Sequence, residues 1–154
     1  MAKILCAIRA GEGSRAVQNA AIKAARETSA CLVFLYVIDR RVIDSSNDAL
    51  RSFVRRELYW MGKTLLNIAA HRARAAGLEC VELLVREGDV GEEISRAVVA
   101  VDASRLMMGA SRHQNSEAVS SAVEFAEWVR ATTGAAIEIV TVPPPTEMSE
   151  TSRP

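Results

Sequence analysis

The sequence has no charge of one sign to spare: nineteen Lys and Arg balance nineteen Asp and Glu. A chain that grips nucleic acid or a membrane surface through its field needs a basic excess, so neither is expected as a partner. No apolar run approaches the roughly 20 residues of a membrane span. Met1-Ala2-Lys3 leads into only five apolar residues, Ile4 to Ile8, before Arg9. That is also short for a signal-peptide core, and the expected location is the cytoplasm. Cysteine is scarce. Cys6, Cys31 and Cys80 lie far apart in apolar segments, odd in number and without CxxC or Cys/His spacing. Neither a disulfide framework nor a metal site is expected; the three read as small buried hydrophobes in a reducing compartment. Histidine is nearly absent. His71 and His113 stand without a nucleophile and acid at readable spacing, and paired carboxylates are missing too, so no catalytic residue is assigned and an enzyme is not expected.

What is present is a regular alternation. With 154 residues, 49% apolar and 25% charged, the chain suits one domain with a self-sufficient core. Short apolar runs at 4–8, 31–38, 80–85, 106–108 and 136–142 read as strands, the first two buried on both faces. Between them lie helical patterns. The first, Ser14 to Ser29, repeats Ala16, Val17, Ala20, Ala21, Ala24 and Ala25 on one small-residue face. After a polar loop from Asp39 to Asp48, a long helix carries Leu50, Phe53, Val54, Leu58, Met61, Leu65, Ile68 and Ala69, and Gly77 stops it. Arg86-Glu87-Gly88-Asp89 reads as a turn into a helix with Ile94, Ala97, Val98 and Val101 inward. The last helix carries Val119, Val123, Phe125, Ala126 and Val129, ending at Gly134. Pro143-Pro144-Pro145 closes the domain at residue 143, and 144–154 reads as a disordered tail. Strand-helix alternation throughout gives a doubly wound α/β fold: a five-stranded parallel sheet with helices on both faces.

In such sheets ligands bind beyond the C-terminal strand ends, where strand order reverses. The segments to watch are Arg9 to Ser14, which includes Gly11, then Ile38 to Arg41, Arg86 to Asp89, and Gly109 to Ser116. The last has the layout of a phosphate cradle: Leu106-Met107-Met108-Gly109 runs into a hydroxyl-rich loop and a helix start, whose free N–H groups and dipole favour an anion. Yet after Gly109 no glycine occurs until Gly134.

The Lys-Ile-Leu opening strand, the Val-Ile-Asp end of the second, the Arg-Glu-Gly-Asp turn and the Met-Gly-Ala-Ser loop, in this order and spacing, resemble the universal stress protein family over nearly all of residues 2–143. The resemblance implies strand order 3-2-1-4-5, an adenine-nucleotide alpha hydrolase-like fold, and a homodimer near the final strand, with Ile137, Ile139, Val140 and Val142 as interface candidates. It also implies ATP or AMP with Mg in the family's binding members. Those members carry Gly-x2-Gly-x9-Gly-(Ser/Thr) and an Asp at the end of the first strand. Here Gly109 matches the first glycine, Arg112 stands at the second, Ala122 and Val123 at the third glycine and its hydroxyl neighbour, and Arg9 at the strand-end Asp. Val37 and Ile38 match positions beside the adenine. Arginine supplies neither the positive φ nor the close backbone approach of glycine, and Arg9 inverts the local charge.

Each candidate has two readings. Arg9 and Arg112 can clasp a phosphate or carboxylate, or pair with acids such as Glu12 and Asp39 and close an empty pocket. Ser111, Ser120 and Ser121 can offer hydroxyls; Ser116 suits an N-cap. Asp39 can orient a ribose or metal, or simply serve a turn. Asp89 can sit at the pocket rim or start a helix. His113 lies in the loop where a ligand would sit, whereas His71 belongs with Arg72 and Arg74 on a solvated helix face. Tyr59-Trp60 can mark a partner surface. The expected function is a stress-response regulatory protein: a non-catalytic dimeric scaffold with a degenerate nucleotide pocket, an unidentified protein partner and a small anionic ligand. The alternative is an ATP- or AMP-binding switch using Gly109–Ser116, with weak hydrolysis.

Overall fold

The computed structural model describes residues 1–9, 13–109, 116–134 and 138–142, with side chains in the last helix described from residue 124 onward. The elements run β1 Lys3–Ile8, α1 Gly13–Thr28, β2 Cys31–Asp39, α2 Arg40–Asp44, a 3-10 turn Asp48–Leu50, α3 Arg51–Ala75, β3 Val81–Gly88, α4 Val90–Val101, β4 Arg105–Gly109, α5 Ser116–Thr133 and β5 Glu138–Val142. The five strands form one sheet in the order β3-β2-β1-β4-β5, and every pairing is parallel. The expected fold class and strand order therefore hold.

Residue alternation along the strands feeds two cores. Ile4, Cys6, Leu32, Phe34 and Tyr36 pack with Val17, Ala21 and Ala25 of α1 and Leu66, Ala69 and Ala73 of α3. On the other face Leu5, Val33, Leu35 and Leu106 meet Ile94, Ala97 and Val98 of α4 and Val129 of α5. Burying one such large side chain contributes roughly 1.5–3 kcal/mol, so the two central strands are the main source of cohesion. The small face of α1 lets it lie close to the sheet, as its alanine pattern requires. Gly62 does the same for α3: a Cβ there would collide with the Tyr36 ring.

Three local expectations change. The loop after β2 is partly helical, because Asp39 caps α2 and Asn47 caps the 3-10 turn. The turn expected at Arg86-Glu87-Gly88 is the last part of β3, paired through Val37↔Arg86, Ile38↔Glu87 and Asp39↔Gly88. Strand pairing overrides the turn chemistry, and the chain turns only at Asp89, which caps α4.

The long helix differs most. Its inward face is Val54, Leu58, Gly62, Leu66, Ala69, Ala70 and Ala73. Leu50, Phe53, Met61 and Ile68, assigned to the core by periodicity, are 53%, 58%, 40% and 45% exposed, as is Trp60 at 60%. Val54, Leu58, Leu65 and Ala69 of the expected stripe do face inward, but Gly62, Ala70 and Ala73 share the core with them while several of the larger side chains lie outside. Gly77 at φ +96° ends the helix as expected.

Candidate functional site

The C-terminal ends of the strands gather Arg9, Val37, Ile38, Asp39 and Gly109 at one pole of the sheet. Strand order reverses between β1 and β4. Hydrogen-bonded register between β1 and β4 ends at Cys6↔Met107, although β1 continues to Ile8 and β4 to Gly109. Two adjacent parallel strands thus part before they end, which is where such folds admit a ligand.

Arg9 follows β1 and is exposed. Ile38 is buried and Val37 half-buried in the two cores, so β2 offers an apolar edge at this pole. Asp39 is already engaged. Its carboxylate accepts from the Arg41 backbone N–H at 3.0 Å, from Nε at 3.2 Å and from the terminal guanidinium nitrogen at 2.9 Å. The Arg41 hydrogen bonds hold its carboxyl below the usual carboxylate range. Asp39 therefore takes the turn role: it caps α2, and its cation is Arg41 rather than Arg9. Asp89 takes the helix-start role, accepting from the Glu92 backbone N–H at 3.0 Å.

Gly109 has a packing reason to be glycine. A Cβ there would lie 3.1 Å from Val17 Cγ2, so the residue admits α1 close to the end of β4. Ser121 and Ala122 fall within α5, their side chains outside what is described; Gly11, Ser111, Arg112, His113 and Ile137 lie outside the described residues altogether, as does the segment 143–154. Ile139, Val140 and Val142 are half-buried, packed inward under the helical layers, and β5 forms the sheet's edge. His71 is exposed on α3, as its arginine-rich surroundings implied.

Sequence reading missed a cleft beside this pole. It encloses about 480 Å³ between α3 and the ends of β2 and β3, lined by Ile38, Ser52, Arg55, Arg56, Tyr59, Val85, Arg86 and Glu87. Arg55 is spent on Glu87 at 2.6 Å. Arg86 faces buried Glu93 at 3.8 Å and leaves its Nε buried without a partner. The signal was present as Arg55 and Arg86, but only the lengthened β3 brings them to one wall.

At the opposite pole the structure corrects the cysteine expectation. Cys31 and Cys80 form a disulfide, with Cα atoms 4.8 Å apart. Cys6 alone is a buried free thiol, its ionisation pushed up by burial. The bond escaped the sequence reading because its two cysteines, 49 residues apart, become neighbours only through the register of β2 and β3. A clue existed: each cysteine stands immediately before an apolar strand run.

Among the described residues no helix is long and apolar enough to cross a membrane. A search of curated proteins by sequence gives no match. Solved structures share the fold: a universal stress protein from Burkholderia pseudomallei (22% identity, TM-score 0.70, covering 92% of this chain and 96% of that one); universal stress protein UspA from Lactobacillus plantarum (17%, 0.71, 92% and 97%); and an Arabidopsis thaliana family protein with AMP bound (18%, 0.62, 99% and 98%). The model of the universal stress protein family matches residues 1–120. With that match spanning most of the sequence and the sheet order agreeing with it, the chain belongs to the universal stress protein family.

Proposed function

We propose that this protein is a non-catalytic, dimeric stress-response scaffold of the cytoplasm whose nucleotide pocket is degenerate. The observation that carries this reading is Arg9. An exposed guanidinium stands at the end of β1, where the family resemblance places a carboxylate in nucleotide-binding members. Two neighbours support it. Asp39 spends its carboxylate on Arg41, and Gly109 is accounted for by Val17. A pocket of this kind attracts a small anion more readily than it orients a ribose.

The scaffold role rests on two surfaces. Among the described residues β5 is an edge strand of the sheet, the kind of edge that a second copy would cover. The outer face of α3 shows Phe53, Trp60, Met61 and Ile68 to solvent, a helix apolar on both sides, which suits a protein partner.

Thermal unfolding of nucleotide-free protein tests the pocket. A binder gains about 2.7 kcal/mol at a hundredfold excess of ligand over Kd, a shift of several degrees. The expected result is no shift at millimolar ATP with magnesium. Sedimentation equilibrium tests the dimer, expected at twice the chain mass. The second reading, an ATP- or AMP-binding switch with weak hydrolysis, is favoured by the early parting of β1 and β4 and by the AMP bound to the Arabidopsis relative. It predicts the opposite thermal result.

A further inference from the structure

Cys31 and Cys80 are brought together by the sheet itself. β2 and β3 pair from Leu32↔Val81 onward, so the residues just before, Cys31 and Cys80, are the next rung. The Leu32 backbone N–H donates to the Cys80 carbonyl at 3.0 Å and closes that rung. Their Cα spacing of 4.8 Å equals the ordinary separation of neighbouring strands, about 4.7–4.9 Å. Reduction therefore leaves the two thiols side by side, because backbone hydrogen bonds hold them there.

Two charged groups lie beside that rung, Lys3 on it and Glu82 two residues beyond Cys80. Lys3 is register partner to Cys31 on the other side, and its ammonium reaches over β2 to the Glu82 carboxylate at 3.2 and 3.3 Å. The Glu82 Oε1 stands 3.9 Å from the Cys31 sulfur. Cys31 is buried, whereas Cys80 is partly open to solvent. Both thiols and the carboxylate offer donor atoms within 4.8 Å of one another, which would also suit a soft cation. Lys3 argues against that use, since its ammonium already sits on the carboxylate.

We infer that Cys31 and Cys80 form a reversible dithiol–disulfide site that takes a small hydroperoxide as its oxidant. Cys80, the more exposed residue of the two, attacks one peroxide oxygen as thiolate; the S–O bond forms, the O–O bond breaks, and the departing hydroxide takes up the proton Cys80 gave up. Cys31 then attacks the sulfenic sulfur of Cys80. The S–S bond forms, the S–O bond breaks, and water leaves carrying the Cys31 proton, which Glu82 is placed to accept and pass on. In sum two thiols lose two electrons and two protons, and one hydrogen peroxide becomes two waters. Glu82 and Lys3 are positioning residues for this step. The inference is independent of whether the opposite pole binds nucleotide, and it lets a disulfide-forming pair reside in a reducing compartment as a dithiol.

The test uses the full-length protein, reduced and desalted without air, then given a slight molar excess of hydrogen peroxide. Iodoacetamide labelling after denaturation counts the free thiols. The expected result is a fall from three adducts to one, with a peptide linking Cys31 to Cys80, and a return to three when dithiothreitol is added to the still-folded protein. Cys80→Ser is expected to abolish the link. Glu82→Gln is expected to form it more slowly, with the pH–rate profile moved upward, a change that a merely structural role would not produce. Persistence of three adducts after excess peroxide overturns the proposal. So does a link that dithiothreitol opens only after denaturation, because that would be a fixed staple.

Discussion

The two poles of the sheet are built on different plans. At the N-terminal pole every strand is tied to its neighbour: β3 to β2 by the disulfide, β2 to β1 by the Cys31 N–H on the Ala2 carbonyl, β4 to β1 by the Ser104 N–H on the Lys3 carbonyl. There β5 is joined to β4 by the Glu138 N–H on the Ser104 carbonyl and by Arg105 with Glu138 at 3.0 Å. At the C-terminal pole β1 and β4 part early, Asp39 is used locally on Arg41 and Asp89 on the Glu92 N–H, and Glu87 ties β3 to Arg55 of α3. Among the described residues one pole is stitched across all five strands, and at the other the β1–β4 ladder stops short. The contrast teaches that capping and packing roles, such as those of Asp39 and Gly109, can occupy residues at the pole where this fold admits ligands.

Substitutions at each pole can break that contrast. The largest effect is expected at the stitched pole. In the oxidised protein Cys80→Ser opens a loop of 49 residues and should cost about 2–4 kcal/mol, read as a lower denaturant midpoint against the oxidised parent. The same substitution should change little when both proteins are reduced. Next is Gly62→Ala, which drives a methyl into the buried Tyr36 ring and should cost about 1–3 kcal/mol despite alanine's better helix propensity. An unchanged midpoint would mean that α3 is free to shift away from the sheet.

Smaller changes sharpen the open pole. Asp39→Asn keeps a capping oxygen but loses the charge, and should cost less than about 1 kcal/mol at neutral pH. Its pH dependence is informative. The folded carboxyl lies below the unfolded value of about 3.9, so its contribution is complete above that value and lost as pH falls through the folded one. Acid unfolding of Asp39→Asn should accordingly show a shallower slope in that window. Least of all is Lys3→Gln. The Lys3–Glu82 pair is one-third to one-half exposed, and its loss should move the midpoint by well under about 1 kcal/mol.

Much of the architecture could be read directly from the chain. Continuous apolar runs such as Cys31 to Ile38 identify buried parallel strands, and the alanine face of α1 appears in the core where periodicity put it. The ends of β3 and the inward face of α3 resisted. A Glu-Gly pair reads as a turn until its neighbour strand supplies hydrogen bonds for it, and a helix with large apolar residues on its outside misdirects any rule that sends the largest inward. At the candidate site, Asp39 and Asp89 were legible as turn and cap residues because their chemistry is local. The Arg55–Glu87 wall and the Cys31–Cys80 pair were not, because each depends on strand register across tens of residues.

The central claim is that the open pole no longer holds a nucleotide. Isothermal titration of nucleotide-free protein with ATP and magnesium addresses it most directly. The account predicts no saturable heat up to millimolar ATP. A micromolar Kd, lost on Arg112→Ala, would contradict it and would show that an arginine has taken over the work of the missing glycine.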